Sequence, residues 1–132
     1  MKKVTSFILL IALLFSLFVA VPTNVSAAGF TPRLTAPDRA TYSSGNPFQP
    51  FNGNCTWYAW GRAREILGYA PNLQTSGANA NQWWQNNINR VGYAYGQTPK
   101  LGAIACWNVG GYGHVAVVEK IEADGITFSE SH

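Results

Sequence analysis

The hydrophobic period changes once along this chain, and that change restricts the fold more than any single residue does. Across residues 54–67, Trp57, Trp60, Ala63, Arg64 and Leu67 recur at three- and four-residue steps, Arg62 and Glu65 are polar, and Gly68 stands where helices commonly stop. A helix is predicted there, with Asn52 or Asn54 as its cap. A second helical pattern covers residues 78–89, with Trp83, Trp84 and Ile88 on its buried side and Gly92 beyond its end. Its asparagines are poor helix formers, so packing of the two tryptophans has to hold it. From residue 101 the period is that of strands. Residues 101–107, 114–121 and 126–131 are β-branched or apolar runs divided by Gly-rich or Asp-Gly turns, which predicts an antiparallel meander. Helices followed by strands specify an α+β domain, not an alternating parallel one. Residues 28–53 are rich in Pro, Ser, Gly and Asn without a sustained period and are expected to run extended over the surface.

The first 27 residues stand apart. Lys2 and Lys3 form a basic start, residues 8–21 are almost wholly apolar, and Val25-Ser26-Ala27 offers small residues where a signal peptidase reads. Export with cleavage after Ala27 is expected. The apolar stretch is short for a membrane crossing, so no stable membrane anchor is expected afterwards. Removing 27 of the 132 residues leaves 105, one domain long enough for a modest core. The net charge of +3 falls to +1 once Lys2 and Lys3 are gone, and no basic run remains. Nucleic acid is therefore not an expected partner, because such binding needs clustered Lys and Arg. Cys55 and Cys106 could form a disulfide outside the cell, but both lie inside patterned elements and the core is large enough without a staple. Both are expected to be free, Cys106 as core packing.

A thiol at Cys55, just before the helical run, and an imidazole at His114, opening a strand 59 residues later, are what a cysteine nucleophile and its base require. At a helix amino terminus, beside an imidazolium, a thiol loses its proton more readily and the thiolate attacks. His114 would then protonate the departing amine and water would hydrolyse the thioester. Backbone N–H groups of the first helical turn are free to serve as oxyanion donors. A group beyond the ring must orient it. Were Ala123-Asp124-Gly125 a three-residue hairpin loop, Val118 would face Glu130 and Ala116 would face His132. His114, Ala116 and Val118 would share a face with Phe128, Glu130 and His132, and a one-residue slip would separate the two sets. In that register His132 is the nearer candidate partner, and Glu130 lies on the order of 13 Å along the strand unless a bulge intervenes. Both candidates stay open on this reading. Trp107 and Tyr112 flank the His-bearing strand and could line a groove for a glycan or peptide, with Gly110, Gly111 and Gly113 letting the backbone approach substrate or turn sharply.

Five ordered segments carry a family likeness: Asn54-Cys55-Thr56-Trp57-Tyr58-Ala59-Trp60-Gly61-Arg62, Gly77-Ala78-Asn79-Ala80-Asn81-Gln82-Trp83-Trp84, Thr98-Pro99-Lys100-Leu101-Gly102-Ala103-Ile104-Ala105, Gly113-His114-Val115-Ala116-Val117-Val118-Glu119 and Ser129-Glu130-Ser131. Together they resemble the CHAP domain (cysteine, histidine-dependent amidohydrolase/peptidase), which assigns residues 28–41 to a lead-in and 42–132 to the domain. The resemblance implies a papain-like α+β fold and cleavage of an amide or peptide bond of bacterial peptidoglycan; with the leader already read, a secreted enzyme at the cell wall is expected, and a monomer. It would be an N-acetylmuramoyl-L-alanine amidase or an endopeptidase. Cys55 is then the nucleophile, His114 the base and Glu130 the orienting acid, with no metal and no cofactor; from their own positions around the His-bearing strand, not from the resemblance, Tyr112, Trp107 and Gly113 are the candidate substrate contacts. His132 stands where many relatives have Asn, and relatives usually continue further, so a truncated domain with an unpaired sheet edge is an expectation too. Two other classes compete: a wall-binding or surface-antigen protein that keeps the fold without turnover, and a thiol redox or disulfide-stapled protein. The last is disfavoured because no Cys-x-x-Cys occurs.

Overall fold

The computed structural model describes residues 29–73, 79–88 and 93–132. The order is α1 (Arg39–Ser43), a 3-10 turn (Gln49–Phe51), α2 (Cys55–Leu67), a 3-10 turn (Ala80–Gln82), α3 (Trp83–Asn87), and then β1 (Ile104–Trp107), β2 (His114–Glu122) and β3 (Gly125–Ser129). The strands form one antiparallel sheet in the order β1-β2-β3. Helices precede a meander, as the change of period requires, and the α+β class follows.

α2 matches its sequence signals at both ends. Asn54 precedes it in extended backbone as the N-cap, and Gly68 closes it in the left-handed conformation at φ 76°, its N–H bonding to the Arg64 carbonyl at 2.8 Å. Residues 56–63 are all buried, so the helix is enclosed on most sides rather than one. Tyr42, Phe48, Trp57, Tyr58, Ala59, Trp60, Ala80, Trp83, Val115 and Val117 form the core, joining α2 to one face of β2. Each large side chain in it contributes on the order of 2–3 kcal/mol through removal of apolar surface from water.

Two expectations outside the sheet are corrected. Of the stretch 28–53, of which Ala28 lies outside the described residues, 29–53 is not merely superficial: α1 lies in it, and Tyr42 and Phe48 are 2% and 1% exposed. α1 is nucleated by Asp38, whose carboxylate accepts from the Thr41 amide at 2.7 Å and the Thr41 hydroxyl at 2.6 Å. Buried Asn46 then satisfies the polar backbone around it. Its Nδ2 donates to the Tyr42 and Trp57 carbonyls, and its Oδ1 accepts from the Phe48 amide, all at 2.9 Å. The second helix is shorter than its pattern. Trp83 is buried but Trp84 and Ile88 are only half-buried, while Ala78, Asn89 and Gly92 lie outside the described residues.

The hairpin joining β2 to β3 departs from the simple register in two compensating steps. Its loop is Ala123-Asp124, since Glu122 pairs with Gly125, and Gly125 is not left-handed. That shortening moves the pairing by one residue. A bulge between Val118 and Lys120 moves it by one more, so that Val118 faces Phe128 and Val117 faces Ser129. Two single steps preserve which face each residue occupies while sliding β3 two residues along β2.

Candidate active site

His114 opens β2, and that slide decides what meets its ring. Continuing the register from Val117 and Ser129 sets Glu130 opposite Ala116, one diagonal step from His114 and on the same face. Glu130 Oε2 lies 2.5 Å from His114 Nε2. Of the two partners left open by the sequence, Glu130 therefore reaches the ring, through the bulge that a straight hairpin lacks. Trp107 pairs with His114 across β1, their ring centroids 6.0 Å apart, and Phe128 packs edge-on against Trp107 at 5.2 Å. An aromatic wall thus flanks the imidazole.

The approach to His114 is a glycine-rich loop fastened to the turn before α3. The Asn81 amide donates to the Tyr112 carbonyl at 2.9 Å and Asn81 Nδ2 to the Gly111 carbonyl at 3.2 Å. Gly113 has φ +73°, and a Cβ there would lie 2.7 Å from Asn81 Cα. Glycine is required at this position to let two backbone segments meet and to aim His114. Tyr112 is 74% exposed and Trp107 37%, which leaves both rings accessible beside the imidazole-bearing strand.

Cys55 is the first residue of α2, half-buried against the core cluster. The Asn54 side chain makes no capping hydrogen bond, so the first-turn amides are not occupied by it. Ser131 Oγ donates to the Gly53 carbonyl, which fastens the segment after Glu130 to the loop two residues before Cys55. Both cysteines are free thiols. Cys106 pairs with Val115, whose side chain belongs to the core, and so lies on the sheet face away from His114. Burial pushes its thiol up to about 11, the opposite of activation.

Behind the site lies a buried cluster that no sequence motif announces. Glu119 is the extra residue of the bulge and is 0% exposed. It accepts from Arg62 Nε at 2.8 Å and Nη2 at 2.9 Å, from Ser129 Oγ at 2.6 Å and from the Arg33 amide at 2.8 Å. Burial by itself would push its carboxyl up, but the hydrogen bonds from Arg62, Ser129 and the Arg33 amide outweigh that and hold it below the usual carboxylate range. Arg62, read from sequence only as polar, is 4% exposed. The available signal was a carboxylate closing the apolar run from Val115 to Val118.

A groove of about 520 Å3 reaches Glu130 from the lead-in side, lined by Arg33 to Pro37 and Arg39, by Trp57 and Tyr58, and by Phe128 to Ser131. It meets the site at Glu130, and Trp107 and Tyr112 are not among its walls. Among the described residues, no three His, Cys, Asp or Glu side chains come together as a metal site would require.

Several curated proteins are similar to this chain. The "Probable autolysin SsaALP" of Staphylococcus aureus is 33% identical over 103 residues, 77% of this chain and 37% of that protein. The "N-acetylmuramoyl-L-alanine amidase sle1" of Staphylococcus epidermidis is 40% identical over 73 residues, 55% of this chain and 21% of that protein. The "Staphylococcal secretory antigen ssaA2" of Staphylococcus aureus is 37% identical over 84 residues, 64% of this chain and 28% of that protein. The chain thus spans between 21% and 37% of the length of these curated relatives. No solved structure matches it. Residues 42–132 match the CHAP domain, and with this much of its length covered the chain belongs to that family.

Proposed function

We propose that this protein is exported, is cut after Ala27, and as a monomer hydrolyses an amide bond of bacterial peptidoglycan through Cys55, His114 and Glu130. The hydrogen bond between His114 Nε2 and Glu130 is the observation that carries the reading. With Nε2 engaged, Nδ1 is the ring nitrogen left to exchange a proton with a thiol. The Cys55 thiolate attacks the carbonyl carbon, and first-turn amides of α2 receive the developing oxyanion. The C–N bond then breaks as His114 gives its proton to the amine. Water, deprotonated by the same ring, cleaves the thioester and regenerates the thiol, leaving a carboxylate. No step needs a metal or cofactor.

A cysteine at the head of a helix, followed in the chain by a sheet bearing the histidine and its acid, is the arrangement of a papain-like fold, and we assign that fold here. Tyr112 and Trp107 are the proposed sugar or peptide contacts, Gly113 the turn that presents His114, and the groove ending at Glu130 a path for the peptide. The names of two relatives, an autolysin and an amidase, support a wall substrate.

Zymography on purified cell walls tests the mechanism. Cys55→Ala and Cys55→Ser are expected to abolish clearing, and clearing that survives both changes would dismiss a thiol nucleophile. Mass spectrometry of digested muropeptides then separates amidase from endopeptidase, because the new amino terminus identifies the severed bond. The competing reading, a wall-associated antigen without turnover, draws on the name of a third relative. It predicts no clearing by the unaltered protein.

A further inference from the structure

The contact between His114 and Glu130 depends on one extra residue. Beyond the bulge, toward the hairpin loop, Lys120 faces Thr127, Ile121 faces Ile126 and Glu122 faces Gly125. Extended without interruption, that register would place Glu130 opposite Val117. Directly opposed residues share a face, so Glu130 would then point with Val117 into the α2 side of the sheet, away from His114. Inserting Glu119 as an unpaired residue reverses the parity and returns Glu130 to the histidine face.

A bulge needs something to hold it, and here the bulged residue carries its own lock. The Glu119 carboxylate is fully enclosed and takes two hydrogen bonds from Arg62 on α2, one from the Arg33 amide and one from Ser129 Oγ. Ser129 is the residue immediately before Glu130, and its partner across the ladder is Val117. The lock therefore grips β3 one residue from the acid that meets the ring.

We propose that Glu119, Arg62 and Ser129 are positioning residues for the reaction. They hold the β2 bulge in place and, through it, set the register that delivers Glu130 to His114. This rests on the reading that Glu130 orients His114. It adds a layer to that reading: the buried ion pair between the helix and the sheet sets catalytic geometry as well as packing.

The test is a cycle on the purified protein. Ser129→Ala and Glu119→Gln are each made alone and on a Glu130→Ala background, and two quantities are read. One is the hydrogen-bonded Nε2–H resonance of His114 by nitrogen-15 NMR; the other is the rate of Cys55 alkylation by iodoacetamide. In the parent background each substitution is expected to abolish or broaden the resonance and to slow alkylation by about tenfold or more. On the Glu130→Ala background neither is expected to slow it further. Equal slowing in both backgrounds, or a folded Ser129→Ala variant with the resonance intact, would overturn the proposal. Should Glu119→Gln fail to fold, Ser129→Ala decides alone, since it removes one neutral donor and leaves the ion pair. The resonance is read without any wall substrate. A protein that clears no wall but shows the coupling would sink the hydrolase reading and keep this one; wall clearing through Cys55 without the coupling would do the reverse.

Discussion

At the scale of single residues, two thiols sit in contrasting surroundings. Cys55 heads α2, beside the loop fastened to Ser131, whereas Cys106 faces the core and burial pushes its thiol up to about 11. Near neutral pH only about one part in ten thousand of such a group is thiolate. Iodoacetamide at pH 7 is therefore expected to label Cys55 and spare Cys106 in the folded protein, and to label both in urea. Peptide mapping reads the result, and equal labelling without urea would show that Cys106 is not enclosed. The same contrast explains why cysteine count alone does not tell the two thiols apart. Residence in an apolar strand was informative for Cys106 because burial there opposes ionisation.

Among the secondary-structure elements, α2 shows a local rule giving way to packing. Gly61 lies inside the helix, where glycine is less favourable than alanine by about 1 kcal/mol. A Cβ at Gly61 would, however, lie 2.5 Å from Tyr42 Cγ, a ring that is 2% exposed and belongs to the core. Gly61→Ala is expected to lower stability by about 1–3 kcal/mol, overpacking outweighing the propensity gain. Urea denaturation measures it, and a more stable variant would mean that α1 moves aside freely. The hairpin follows the same logic. Its strands and their faces were readable from alternation, since His114, Ala116 and Val118 do share a side with Phe128 and Glu130. Its register was not, because a two-residue loop and a one-residue bulge leave the apolar pattern almost unchanged.

Across the whole molecule, Glu65 ties three segments together. It accepts from Arg33 of the lead-in, from the Tyr42 hydroxyl of α1 at 2.6 Å, and from Arg62 of its own helix at 3.1 Å. The hydrogen bond from Arg33, with help from Tyr42 and Arg62 against the cost of burial, lowers its carboxyl to about 2 from 4.5. A carboxylate depressed in the folded state stabilises it above the unfolded value and loses that contribution as pH falls through the folded one. Stability is therefore expected to drop between about pH 4.5 and about pH 2, with Glu119 acting in the same direction. Glu65→Gln is expected to flatten that part of the profile in urea titrations, and an unchanged slope would remove Glu65 from the account.

Much of this protein was legible along the chain: the α+β class, both ends of α2, the meander, and the face shared by His114 and Glu130. Those features depend on which side of a helix or strand is apolar, and that is written in spacing over a few residues. Three others were invisible there. Tyr42 and Phe48 are core residues in a stretch with no period, because rings from outside that stretch cover them, Trp57 and Tyr58 of α2 for Tyr42 and Trp83 of α3 for Phe48. Arg62 and Glu119 form a buried pair although 57 positions separate them. Glu130 reaches His114 because that pair sits at a bulge, and a bulge shifts pairing by one residue while leaving the apolar pattern almost unchanged. Its placement is settled where distant side chains must bury and satisfy one another, a condition that exists only once the helix lies on the sheet.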